Sequence, residues 1–134
     1  MLRVRVETPC RGTESLAKVK VALLNLFPDL TFEREDDTVA GTTASLERLR
    51  ELIRSQRIRD TARGQLLAAR HGDRTRVVLS KQAAFVGVVN FAVGSPLGDI
   101  SVEIASDDLS AVIDRVAEST VERPLRPSGR TEGT

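Results

Sequence analysis

A chain of 134 residues, 40% hydrophobic and 29% charged, is long enough for one real core and too ordinary in composition for a disordered or fibrous protein. Its formal net charge of +1 rules against polyanion binding by overall charge, and four Phe with no Tyr or Trp leave little for base stacking. A single cysteine excludes an internal disulfide framework, and no stretch approaches the ~18 apolar residues of a membrane span, so a soluble, cytoplasmic protein is expected.

The chain begins with an alternating segment. Leu2, Val4 and Val6 interleave with Arg3, Arg5 and Glu7, the pattern of a half-buried strand. A loop over Thr8–Gly12 follows, and Thr13 is the expected N-cap of a helix with Glu14 in its first turn. Leu16, Val19, Leu23 and Leu26 form the apolar stripe of that helix, and Pro28 ends it. Leu30 and Phe32 open a second strand. Asp36-Asp37 makes a turn, and Thr38 to Thr43 returns as a third strand, giving a hairpin.

Ser45 to Gly72 carries the charge. Seven arginines (48, 50, 54, 57, 59, 63 and 70) meet three acids, a local net charge of +4, so the rest of the chain sums to −3. Ser45 is the expected cap. Leu46, Leu49, Leu52 and Ile53 make one apolar stripe, and Ile58, Ala62, Leu66 and Ala69 make another. At about 100° per residue the two stripes fall on opposite sides of one straight helix. A break near Ser55-Gln56-Arg57 is therefore expected, with each half turning its own stripe inward.

Gly72-Asp73 closes this segment. Arg74 to Ser80, with Val77, Val78 and Leu79 contiguous, reads as a well-buried central strand. Lys81 to Val86 reads as one helical turn ended by Gly87, Val88 to Phe91 as a short strand, and Gly94 to Gly98 as a loop. Ile100, Val102 and Ile104 alternate in another strand. Ser106 or Asp107 then caps a helix whose face is Leu109, Val112, Ile113 and Val116. Residues 1–121 are expected to form a single α+β domain of two layers, a mostly antiparallel sheet with helices on one face, and 122–134 a disordered tail.

Several runs together resemble a known family. They are Leu26 to Leu30 (LFPDL), Ser45 to Arg63, Lys81 to Phe91 (KQAAFVGVVNF) and Pro96 to Ile104 (PLGDISVEI). The chain is similar over nearly its whole length to a family of small archaeal proteins classed as RNA-binding. That resemblance implies a fold like the large-subunit ribosomal protein that contacts 5S ribosomal RNA, and kinship with an RNA-binding domain linked to the archaeal exosome. It brings no reaction and no cofactor. Family motif positions fall on Arg54, Gln56, Arg57, Asp60, Arg63, Lys81, Gln82 and Asn90.

The candidate RNA-contacting residues are Arg50, Arg54, Gln56, Arg57, Arg59, Arg63, Lys81 and Gln82. Guanidinium groups bind phosphate oxygens in bidentate fashion, and amides can reach ribose hydroxyls or base edges. Two readings stay open. The arginines can gather at the bend to hold structured RNA, or they can pair with Glu47, Glu51 and Asp60 at i, i+3 along a solvated face. Gln56 and Asp60 can equally be structural, with Gln56 satisfying backbone groups freed at the bend. Asn90 is expected to bond backbone, and His71, the single histidine, to cap a helix end.

Cys10 has no neighbouring His, metal-ligand spacing is absent, and no glycine-rich phosphate loop occurs. The expectation is thus a noncatalytic module without metal or cofactor. A protein-interaction subunit or homodimer of an RNA-processing or ribosome-related assembly is the alternative.

Overall fold

The computed structural model describes residues 1–91 and 99–119. The expected Gly94–Gly98 loop and the 122–134 tail lie outside the described residues. Among the described residues ten elements run in the order β1 (Arg3–Pro9), α1 (Leu16–Leu26), β2 (Thr31–Glu35), β3 (Thr38–Thr43), α2 (Glu47–Ser55), α3 (Arg59–Ala68), β4 (Arg74–Ser80), α4 (Lys81–Phe85), β5 (Asp99–Ala105) and α5 (Leu109–Val116). The strands form one sheet in the order β2-β3-β1-β5-β4, with every neighbouring pair antiparallel. This is the α+β architecture expected from the sequence.

Alternation decides which face each strand buries. Val4 and Val6 of β1, Val39 of β3, Val77 and Leu79 of β4, and Ile100, Val102 and Ile104 of β5 point into the core. There they meet Val19, Leu23 and Leu26 of α1, Leu49 and Ile53 of α2, Ala62 and Leu66 of α3, and Leu109, Ile113 and Val116 of α5. Each fully buried Val, Leu or Ile contributes roughly 1.5–3 kcal/mol. The intervening residues, among them Arg3, Arg5, Glu7, Arg74, Arg76 and Glu103, are at least partly exposed on the opposite face.

The hairpin of β2 and β3 shifts register between Phe32 and Arg34. Here Gly41 is required by space: a Cβ would lie 2.6 Å from the Thr31 carbonyl oxygen and 2.9 Å from Leu30 Cγ.

Several expectations are corrected. β4 is an edge strand, not a central one, and the central strand is the amino-terminal β1. Val78 looked like part of a doubly buried run, yet it is only half-buried because β4 has helices on one side alone. Val88 to Phe91 forms no strand; the Asn90 carbonyl instead accepts from Ser80 N–H. α1 is capped by Ser15, whose side chain accepts from Lys18 N–H, rather than by Thr13. Leu46 holds the cap position of α2, while Ser45 Oγ accepts from Glu47 N–H. Asp108 caps α5 through Ala111 N–H, while Ser106 Oγ accepts from Asp108 N–H. Ala69 is exposed at the end of α3, so the second stripe stops at Leu66. His71 lies beyond α3, in a turn where its backbone exchanges hydrogen bonds with Arg74.

Candidate nucleic-acid interface

The break between the two stripes falls where the periodicity placed it. α2 ends at Ser55, α3 begins at Arg59, and Leu49 and Ile53 on one side and Ala62 and Leu66 on the other all reach the core. The turn has the paired hydrogen bonds of a Schellman motif: Arg57 N–H donates to Arg54 O and Ile58 N–H to Ile53 O, each at 3.1 Å. The motif needs one residue in the left-handed region, usually Gly or Asn. Arg57 occupies that position, with φ of 59°. A side chain with a Cβ costs roughly 1–2 kcal/mol there relative to the right-handed region.

The basic residues of this corner divide into two groups. The first is committed to the carboxyl end of α5. Arg59 pairs with Glu118 at 2.7 Å and Arg63 with Asp114 at 2.6 Å. Arg63 also donates to the Ala117 carbonyl, and Arg50 Nε to the Arg115 carbonyl at 3.0 Å. Carbonyls at a helix end lack intrahelical donors and carry partial negative charge, so cations settle there. Of the i, i+3 pairs expected along the helices, Glu47–Arg50 forms, at 3.8 Å. Glu51 instead pairs with Arg48, and Glu47 also with Arg115. Asp60 is engaged in an interaction of its own.

The second group is Arg54 and Arg57. Both are exposed, and neither has an ion pair or side-chain hydrogen bond among the described residues. Gln82, on α4, is exposed as well.

Two of the candidates face inward. Gln56 lies against Val89, its Nε2 donating to Val89 O and its Oε1 accepting from Val89 N–H, both at 2.8 Å. It therefore satisfies backbone groups, though those of the 81–91 segment rather than of the bend. Lys81 is fully buried; its Nζ donates to Pro9 O at 2.6 Å and to Glu14 Oε1 at 3.0 Å. A buried ammonium requires such a countercharge. Glu14 is accordingly not a first-turn residue of α1 but half of a buried ion pair.

Asn25 belongs to the same construction and carries no sequence signal. Its Nδ2 donates to the Ala84 and Phe85 carbonyls. It reads only as one polar residue in the apolar last turn of α1.

The acidic hairpin holds its own cations. Arg34 bonds Asp36 at 2.7 Å and Asp37 at 2.9 Å, Lys20 pairs with Glu35, and Arg5 with Glu33. The Thr38 N–H, and then Arg34, hold the Asp36 carboxyl below its ordinary value. Among the described residues no cluster of His, Cys, Asp and Glu could hold a metal ion, and no helix is long and apolar enough to cross a membrane.

A family model described as RNA binding matches residues 3–106. The UPF0201 protein of Methanothermobacter thermautotrophicus is 46% identical over 121 residues, which cover 87% of this chain and 92% of that protein. The UPF0200/UPF0201 protein of Archaeoglobus fulgidus is 37% identical over 131 residues, which cover 93% of this chain but 40% of that protein. The crystal structure of a UPF0201 protein from Methanococcus jannaschii superposes with a TM-score of 0.80 at 36% identity, covering 89% of this chain and 95% of that one.

Proposed function

This chain belongs to the archaeal UPF0201 family and matches, over residues 3–106, a family model described as RNA binding, and from that premise we propose that it is a noncatalytic, cytoplasmic module that binds structured RNA at the α2–α3 bend. The observation that carries this reading is Arg57. It keeps a long cationic side chain at a backbone position where glycine is better tolerated, and its guanidinium has no protein partner among the described residues.

Arg54 and Arg57 are the phosphate contacts. Gln82, exposed on α4, reaches ribose hydroxyls. Arg50, Arg59 and Arg63 join only where RNA displaces the carbonyls and carboxylates of α5. Gln56 and Lys81 act from inside, by holding the scaffold. A likeness to the 5S-RNA-contacting ribosomal protein belongs to the same proposal, and superposing the two folds tests it.

Filter binding at low salt with ribosomal and transfer RNA tests the function. Retention by the wild type and its loss in Arg54→Glu/Arg57→Glu are expected. A wild type that retains neither RNA contradicts the proposal.

A second reading, a protein-interaction subunit or homodimer, has one observation in its favour. The Archaeoglobus relative, whose name joins two families, is much longer than the segment it shares with this chain. Sedimentation of the purified chain tests it: a strict monomer alone and in extract counts against it.

A further inference from the structure

The bend does not stand by itself. Gln56 is the chain neighbour of Arg57 and is bonded at both amide atoms to Val89, so the turn after α4 is fixed beside the bend that carries Arg54 and Arg57. At the tip of that turn Val86 is 75% exposed and Val88 40% exposed, on either side of Gly87 at φ of 73°. Two valines held in water are unfavourable by themselves.

The turn is nonetheless braced from several directions. Val86 N–H and Val88 N–H both donate to Ala83 O, and Gly87 N–H donates to Ala84 O. Asn25 holds the Ala84 and Phe85 carbonyls, Ser80 Oγ accepts from Ala83 N–H, and Lys81 at the root of α4 is locked to Pro9 and Glu14. The result is a small, stiff apolar wedge with cationic groups at its side.

We propose that this wedge, together with Arg54 and Arg57, recognises the minor groove of an A-form RNA duplex. The inference rests on the RNA-binding reading above and names the form of RNA. Single-stranded bases are held by stacking on exposed aromatic rings. This chain has no Tyr or Trp; Phe27 is buried, and Phe32, Phe85 and Phe91 are partly buried against the core. What it presents instead is shape.

The A-form minor groove is wide and shallow and is lined by riboses with their 2′-hydroxyls. A blunt valine turn packs against ribose faces, while flanking guanidiniums take phosphate oxygens in bidentate fashion. The B-form minor groove is narrower, about 6 Å wide, and resists the same wedge.

Fluorescence anisotropy with a labelled short RNA duplex, the DNA duplex of the same sequence and one of the RNA strands alone tests the proposal. The RNA duplex is expected to bind at least about tenfold more tightly than either other probe. Val86→Asn, at a site open to solvent, is expected to keep the wild-type circular dichroism spectrum and melting curve. It should weaken duplex binding by about tenfold, with no change in salt dependence because no charge is altered.

Equal affinity for the three probes, or an unchanged Val86→Asn affinity with RNA still bound, overturns the duplex reading and leaves RNA binding standing. Loss of all RNA binding in the wild type overturns both. Equally tight binding of a labelled polyglutamate overturns it in favour of an acidic protein partner.

Discussion

Replacing Arg57 by glycine should make the protein more stable and a poorer RNA binder at once. The backbone at this position has φ of 59°, where a Cβ costs roughly 1–2 kcal/mol. Glycine removes that cost but gives the unfolded chain more freedom, which offsets roughly 0.5–1 kcal/mol. The guanidinium has no bond to lose among the described residues. The net expectation is a gain of about 0.5–1 kcal/mol, or ~3 °C in Tm for a domain of this size.

Arg57→Ala separates the two effects. It removes the charge but keeps the strain, so its Tm should stay near that of the wild type. Thermal melts by circular dichroism read the stability, and anisotropy with an RNA duplex reads the affinity, on the same three proteins. Both variants should bind RNA more weakly. A destabilised Arg57→Gly would mean that the side chain serves the fold. A stabilised Arg57→Gly with unaltered RNA affinity would leave the strain without a functional return.

Lys81→Met should cost about 3–5 kcal/mol in urea unfolding by stranding the buried Glu14 carboxylate; Glu14→Leu/Lys81→Met should recover most of it, and a cost below about 1 kcal/mol for the single variant would show that the pair is not enclosed in solution. Gly41→Ala should lose about 1–3 kcal/mol, because the new methyl meets a backbone oxygen that cannot turn aside; a neutral result would mean that the hairpin relaxes there. Carbon-detected NMR should place the Asp36 titration below the ordinary carboxylate midpoint. Since the folded value is depressed, the stabilisation is present above the unfolded value and disappears as pH falls through the folded one. Arg34→Ala should raise the Asp36 midpoint only part way, because the Thr38 N–H, the larger cause, remains.

Much of the fold was legible because its signals are periodic. The alternation in β1 and β5 and the opposed stripes of α2 and α3 follow from geometry that each segment carries within itself. Sheet order was not legible in the same way. β1 and β4 each bury one face, so alternation alone does not tell a centre from an edge; the contiguous Val77-Val78-Leu79 pointed the wrong way.

The bend was readable as a location, but the bonds made by the candidate residues around it were not. Whether Arg59 and Arg63 are free depends on Glu118 and Asp114, which arrive only when α5 docks. Lys81 looked like a surface cation because lysines seldom bury, and its partner Glu14 lies in a different part of the chain. Arg57 carried no warning of its conformation, since the glycine that usually marks a helix end is missing.

The claim that the Arg54 and Arg57 guanidiniums at the α2–α3 bend grip RNA phosphates is tested most directly by salt dependence. Each phosphate contact releases counterions, so the logarithm of the binding constant falls against the logarithm of salt concentration by about one per contact. The wild type should show a slope of about −2 or steeper, and Arg54→Ala/Arg57→Ala should lose about two of those units while keeping its fold. Identical slopes for the two proteins would place the RNA somewhere else on the molecule.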